Sequence, residues 1–477
     1  MKLPIAFFDA RNLGDILQRI RDHDRLRVFL TSSSIQTLFS LFNILVFGIV
    51  LVSFNFSLFI IFISGSVFYF IWILLFLKSR RIIDYKKFSE AAASQSNEVQ
   101  LVQGMQEIKL NQAENAKRWE WEAIQARLFN ISIKSLTIEQ YQNAGGSFIN
   151  ELKNIVILFW SAQAVMKGEM TLGMMLAATQ ITGQLNAPIA QLIGFIQQAQ
   201  DASISLERLG EIHQKENEDN EQFSIPQVSH YRADIGVENL SFRYFGAESP
   251  LVLSDVSFRV KYGKTTAIVG RSGSGKTTLL KLILKFYKPL SGKIKVGEVD
   301  LSGLDTAFWR KNCGTVMQDG YVFSDTILKN ITISEEQPDM LKFKKALNIA
   351  NITDFVDELP LNFNTKIGTS GIGLSQGQKQ RIMIARAVYK NPDFLFFDEA
   401  TSSLDAENEK VISDNLLEFA QGRTMVVIAH RLSTVKRADH IVVLERGRIV
   451  ETGSHAELIG TKGHYYTLVR NQLELGE

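Results

Sequence analysis

The residues Gly270-Arg-Ser272-Gly273-Ser-Gly275-Lys276-Thr277-Thr278 have the spacing of a phosphate-binding loop, with two glycines bracketing four residues ahead of Lys-Thr. Thr265-Thr-Ala-Ile-Val-Gly before them is β-branched and apolar and reads as a buried strand. Thr278-Leu-Leu-Lys-Leu-Ile-Leu-Lys after them reads as a helix. An ordinary glycine-rich turn would not need both flanks. Glycine lets backbone N–H groups converge on phosphate oxygens, and the helix N-terminus adds a favourable dipole. Lys276 is placed to reach the β/γ-phosphates and the Thr277 hydroxyl to sit on Mg²⁺. About 120 residues downstream, Asp393-Phe-Leu-Phe-Phe-Asp398-Glu399 reads as an apolar strand ending in two carboxylates. Asp398 suits a Mg²⁺-organising role, and Glu399 can act as general base on an attacking water. Leu374-Ser375-Gln376-Gly377-Gln378-Lys-Gln-Arg381 precedes that strand, and Ser402-Ser-Leu-Asp405 follows it. His430 ends a further β-branched strand, Met425-Val-Val-Ile-Ala.

The elements that must hold these groups follow from the apolar pattern. Ile268–Val269, Gly314–Met317, Phe394–Phe397, Met425–Ile428 and Ile441–Leu444 read as short strands alternating with helical stretches. This is the α/β pattern of a P-loop nucleotidase. The domain is expected over 235–477, behind a polar, acidic linker at 216–234.

Residues 1–215 read differently. Met1 to Thr31 is amphipathic and charged, with Arg19, Arg21, Arg25 and Arg27. Uncharged apolar runs at 33–54 and 58–77 are each about 20 residues, enough to cross a bilayer as a helix. Cations flank both, so both flanks should be cytoplasmic and Asn55–Ser57 external. From Ile82 to about Gly145 the chain is polar, helical and almost free of proline, so a long helix must leave the membrane and return. Its Trp119 and Trp121 read as packing anchors. Weaker spans are expected at 147–166 and 172–198. In the last, Gln180, Gln184, Gln191 and Gln198 share one narrow stripe at about 100° per residue. Such a stripe either lines a translocation pathway or makes interhelical hydrogen bonds. Pro188 interrupts it as a candidate kink.

The remaining composition bounds the answer. With 477 residues there is room for two or three domains, and a net charge of +2 gives no sign of a nucleic-acid partner. Cys313 is the only cysteine, so no intramolecular disulfide is possible, and its short apolar context argues against a catalytic thiol. The first residues carry no cleavable signal pattern.

Taken in order, the motifs of the C-terminal half resemble the nucleotide-binding domain of an ABC transporter. They are the P-loop, a Q-loop (Val316-Met-Gln318-Asp), a signature sequence, a Walker B strand, a D-loop and a switch histidine, His430. The resemblance implies ATP and Mg²⁺, and a head-to-tail dimer of these domains with ATP sandwiched between them. It implies that Tyr244, in Phe242-Arg-Tyr, stacks on adenine, and that Gln318 couples Mg²⁺ and the attacking water to the membrane domain. His430 would contact the γ-phosphate, and Ser375 and Gly377 would meet the γ-phosphate bound to the opposite subunit, with Gln378 beside them. Gln376 departs from the commonest signature, which has glycine there.

The N-terminal half resembles the membrane domain of ABC exporters. Phe7 to Asp15 looks like their first cytoplasmic coupling segment, and Glu107-Ile-Lys-Leu-Asn-Gln-Ala-Glu114 leads into the second. In the family this second coupling helix docks on the partner's nucleotide domain, which would make Trp119 and Trp121 packing anchors there. Gln106-Glu-Ile-Lys-Leu-Asn, Trp119-Glu-Trp-Glu122 and Ser205-Leu-Glu-Arg-Leu-Gly-Glu-Ile-His213 are most similar to the peptidase-containing bacteriocin and peptide exporters. Two departures stand out: no peptidase domain is visible, and only four spans are visible where an exporter half has six. The resemblance therefore implies a transport ATPase of the cell (inner) membrane, multi-pass, with a cytoplasmic nucleotide domain. It would work as a homodimer against membrane lipid and drive out a peptide. The alternatives are export of a lipid or small hydrophobic compound, a truncated or split transporter, and a membrane-anchored ATPase that moves nothing.

Overall fold

The computed structural model describes the chain except residues 1, 2, 12, 215, 216, 219–231, 245, 247, 248, 334, 369, 370, 402, 430 and 475–477. The described residues fall into two compact units: Phe8–Glu216, and Asn217–Glu477 together with Met1–Phe7. Most of the expected linker therefore lies outside the described residues, as does His430.

The first unit is helical. After the short α1 (Ile5–Asp9) come α2 (Leu13–Val28), a π-helical turn (Phe29–Ser33), α3 (Ser34–Phe54) and α4 (Phe56–Gln103). Then follow α5 (Met105–Leu110), α6 (Glu114–Met166) and α7 (Leu172–His213). Asn55 breaks the first apolar hairpin in extended conformation, and its side chain caps α4 by accepting from the Ser57 and Leu58 N–H groups. Gly104 and the Asn111–Ala113 turn break the long polar helix into an outgoing and a returning arm.

Leu13–Phe54 and Phe56–Gln103 are long and apolar enough to cross a membrane, with mean hydropathy of 2.3 and 2.5 in their most apolar windows. Only 17% of each window is buried. Large side chains such as Phe39, Phe42, Phe68 and Leu75 therefore point outward, as lipid-facing residues do. The expected spans at 147–166 and 172–198 are helical, but glutamines and charges keep α6 and α7 below that apolar standard. Pro188 lies within α7, which continues through it. Trp119 is 67% exposed and Trp121 is half-buried.

The second unit contains two sheets. An antiparallel sheet takes the order β2-β1-β4-β5, from β1 (Ile235–Phe242), β2 (Leu253–Val260), β4 (Ser291–Val296) and β5 (Val299–Asp300). The larger sheet takes the order β10-β9-β3-β8-β7-β6. Its strands are β3 (Thr265–Val269), β6 (Cys313–Val316), β7 (Phe394–Asp398), β8 (Thr424–Ile428), β9 (His440–Glu445) and β10 (Arg448–Gly453). All its pairings are parallel except β10 on β9. β7 and β8 are buried at every position, which explains their unbroken apolar runs. In such sheets ligands bind beyond the carboxyl ends of the strands. β3, β6 and β7 all end at that edge, so the P-loop, Gln318 and Glu399 come to it together.

Candidate functional site

The P-loop runs from the end of β3 into α8 (Lys276–Ile283). Two of its glycines are sterically required. Gly270 has φ +156, and a Cβ there would lie 2.1 Å from the Leu444 carbonyl oxygen. Gly275 caps α8 at φ +103, where a Cβ would press on Leu253 at 2.7 Å. Ser272 and Gly273 form the exposed crest, the latter at φ +78. Lys276 is buried, and its ammonium donates to the carbonyls of Gly270 (2.8 Å) and Arg271 (3.0 Å), so it lies across the loop. Burial pushes its pKa down, while the carboxylates of Glu399 and Asp398 pull it back up. Thr277 is half-buried, and the Thr278 hydroxyl meets the Tyr244 hydroxyl at 2.8 Å. The Tyr244 ring sits edge-on to Phe242 and Tyr287, with centroids 5.1 and 5.2 Å away. Tyr244 is thereby held at the start of α8.

Gln318 lies two residues past β6 and Glu399 one residue past β7, on adjacent parallel strands. The Gln318 amide donates to the Glu399 carboxylate at 3.2 Å. Glu399 adopts φ +51, a left-handed conformation that a non-glycine residue seldom takes, and its N–H donates to the Ile428 carbonyl. The backbone is thus turned out of the strand direction just where the acid is needed. Asp398 is 1% exposed at the strand end.

The signature residues form a second group. Ser375 caps the helix Gln376–Tyr389 in a reciprocal capping box: its hydroxyl accepts from Gln378 N–H (3.2 Å), and the Gln378 side chain accepts from Ser375 N–H (2.9 Å). Gln378 is therefore used in the cap. Gly377 faces the Ser403 carbonyl, 3.3 Å from where its Cβ would be. Ser375 and Gln376 are exposed, and among the described residues no hydrogen bond joins this group to the P-loop.

One residue had no role in the sequence reading. Gln380, buried on the same helix, donates to the Glu399 carbonyl (3.0 Å) and accepts from Ser403 N–H (3.1 Å). It ties the residue that carries the acid to the turn before Asp405, which in turn caps the helix Ala406–Phe419. The available signal was its polarity on the otherwise apolar face of that helix.

The site fits Mg²⁺. The Thr277 hydroxyl, the Asp398 carboxylate and the Gln318 amide are all hard oxygen donors, the kind this cation prefers alongside phosphates. No cluster of three His, Cys, Asp or Glu occurs among the described residues, so the protein alone offers no rival cage. Cys313 is buried at the start of β6, and burial drives its thiol pKa far upward. It is inert, as its sequence context suggests.

In the helical unit, Gln191 and Gln198 of the glutamine stripe accept hydrogen bonds from Ser40 and Ser33. For these two the interhelical reading holds. Gln180 and Gln184 are exposed and make no hydrogen bond among the described residues.

A family model described as "ABC transporter" matches residues 253–402, and one described as "ABC transporter transmembrane region" matches residues 1–189. The chain is 35% identical to the toxin RTX-I translocation ATP-binding protein of Actinobacillus pleuropneumoniae, over 99% of this chain and 67% of that one. It is 34% identical to the leukotoxin translocation ATP-binding protein LktB of Bibersteinia trehalosi, over 100% of this chain and 66% of that one. The chain thus spans about two thirds of the length of the curated relatives it matches. Among solved structures, a bacterial Atm1-family ABC exporter with ATP bound superposes with TM-score 0.89 at 28% identity, covering 99% of this chain and 82% of that chain.

Proposed function

Given that the chain belongs to the ABC transporter family, with its transmembrane region and its ATP-binding domain on one polypeptide, we propose that it is the subunit of an ATP-driven exporter that moves a polypeptide out of the cytoplasm. The ATP-binding domain is that of an ATPase coupled to transport, and the chain is a membrane protein. The observation that carries the catalytic part is the Gln318–Glu399 hydrogen bond at the P-loop edge of the sheet.

The residues divide the work as follows. The glycine backbone from Gly270 to Gly275, the Lys276 ammonium and the N-terminus of α8 bind and orient the triphosphate. Tyr244, braced by Thr278, Phe242 and Tyr287, offers a ring to the adenine. Thr277, Asp398 and Gln318 would hold Mg²⁺, which, when bound, neutralises charge developing on the transferred phosphoryl group. Glu399 accepts a proton from the attacking water, and Gln318 fixes that carboxylate. His430 is assigned to the γ-phosphate. Ser375 and Gly377 make no hydrogen bond to their own P-loop among the described residues, in keeping with a head-to-tail homodimer in which they close the partner's site.

Polypeptide cargo is supported by the relatives, whose names describe toxin translocation. The proposed setting is the inner membrane, with the ATP-binding domain in the cytoplasm. A lipid or small apolar cargo is the alternative that the test must separate from polypeptide. ATPase rates in nanodiscs with added polypeptide or added lipid test the choice. Stimulation of several-fold by polypeptide alone supports the proposal, and stimulation by lipid alone overturns it.

A further inference from the structure

A cavity of 520 Å³ lies within the helical unit, lined from four helices. Arg25 comes from α2, Arg80, Asp84 and Lys87 from α4, Glu139 from α6 and Asp201 from α7. Val28, Phe29, Ile83 and Ile138 add apolar surface between these charges. The cavity's size falls within the roughly 300–1,000 Å³ of small-molecule pockets, but those carry only a few polar groups. An apolar occupant here would desolvate charges without replacing their hydration.

Two of the ion pairs already present are loose, Arg25–Asp84 at 3.5 Å and Arg80–Asp201 at 3.7 Å, while Arg208 donates to Asp84 at 3.2 Å. Lys87 and Glu139 are exposed and form no ion pair or hydrogen bond among the described residues. Arg80, Asp84 and Lys87 follow one face of α4 at i, i+4 and i+7 with alternating sign, a row about 10 Å long at ~1.5 Å per residue. An extended polypeptide covers that length in about three residues, at ~3.3 Å each. A zwitterionic lipid headgroup carries one charge of each sign and answers only part of the row.

We propose that this cavity binds an extended polypeptide segment carrying charges of both signs, with Lys87 and Glu139 as its unspent counter-charges. The inference rests on the export reading and deepens it by assigning a site and a charge pattern to the cargo.

The test is equilibrium binding without nucleotide, so that it stands or falls independently of hydrolysis. The full chain in phosphatidylcholine nanodiscs is titrated against four fluorescently labelled ten-residue peptides: alternating Lys/Glu, all-acidic, all-basic, and uncharged apolar. The alternating peptide is expected to bind at least tenfold tighter than the apolar one, and to weaken as salt rises. Lys87→Glu should weaken the acidic peptide about tenfold and strengthen the basic one, and Glu139→Lys should do the reverse. Both positions are exposed, and an unchanged melting profile excludes misfolding. Equal binding of the apolar peptide, no binding at all, or indifference to both reversals overturns the proposal. Displacement of the alternating peptide by glycerophosphoethanolamine also overturns it and makes the cavity a headgroup site. If ATP turnover proves absent while charge-selective binding persists, the transport reading fails and this site stands.

Discussion

Replacing Gln380 by leucine keeps most of the side-chain volume and removes its hydrogen bonds to the Glu399 carbonyl at 3.0 Å and from Ser403 N–H at 3.1 Å. Ser403 is exposed, so its N–H recovers a water partner. The Glu399 carbonyl sits in a half-buried turn and recovers less. Leaving one such group unsatisfied costs about 1–3 kcal/mol, or roughly 2–10 °C in the melting temperature of a domain this size. The functional effect should be larger than the stability loss alone implies. Glu399 is already held at φ +51, and this carbonyl bond is one of the restraints on that conformation. With it gone, the carboxylate drifts from Gln318, and a displacement on the 1 Å scale at a catalytic group costs up to about a hundredfold. The expected result is kcat for ATP down tenfold or more with the KM for ATP nearly unchanged, because the P-loop is untouched. Gln380→Glu separates the two bonds: it keeps an acceptor for Ser403 N–H but sets a carboxylate against the Glu399 carbonyl, so it should be at least as slow. The assay is steady-state ATPase in nanodiscs beside a melting curve. A melting temperature that falls while kcat holds would show Gln380 to be structural only and refute the reasoning.

Two further outcomes follow from the packing. Arg208 and Asp22 form a buried ion pair, each side chain 3% exposed, with Ser205 donating to the same carboxylate. Arg208→Ala leaves the buried Asp22 charge with only the Ser205 hydroxyl and Arg25 at 3.8 Å and should destabilise the helical unit by about 3 kcal/mol, read as a large drop in the thermal-aggregation midpoint of the detergent-solubilised protein, whereas Arg81→Ala, at an exposed pair, should leave it almost unchanged. Cys313 should resist iodoacetamide in the native protein at pH 8, since its thiol is buried and its pKa is raised, and react fully in denaturant; rapid native labelling would contradict the described burial.

What the sequence revealed depended on whether the determining forces are local. The five parallel strands of the larger sheet are legible because their centres are buried on both faces, most completely in β7 and β8, and so read as short apolar runs. The antiparallel sheet is not, because β1 and β2 alternate and their period slips at bulges, where Asn239 and Asp255 take φ of +49 and +54. The P-loop is legible because Gly270 and Gly275 are dictated by backbone geometry that nothing else tolerates. Gln380 is not, since its value arises from two backbone groups that only the fold brings to it. The first two spans are plain from hydropathy. The glutamines of α7 are ambiguous in sequence, because the same polar face can bond a neighbouring helix or meet water. Ser33 and Ser40 of the first membrane hairpin decide that for Gln198 and Gln191, and neither serine has any periodic relation to them.

The most direct test of the account is the fate of ATP on the Glu399→Gln variant, measured as nucleotide occupancy and single-turnover hydrolysis with Mg²⁺ in nanodiscs. The variant should retain ATP at near wild-type occupancy, since Lys276 and the glycine loop are intact. Hydrolysis should fall by about 10²–10⁴, the share a general base supplies. Hydrolysis at the wild-type rate would contradict the role given to Glu399 and, with it, the reading of the Gln318–Glu399 hydrogen bond as the catalytic core of the site.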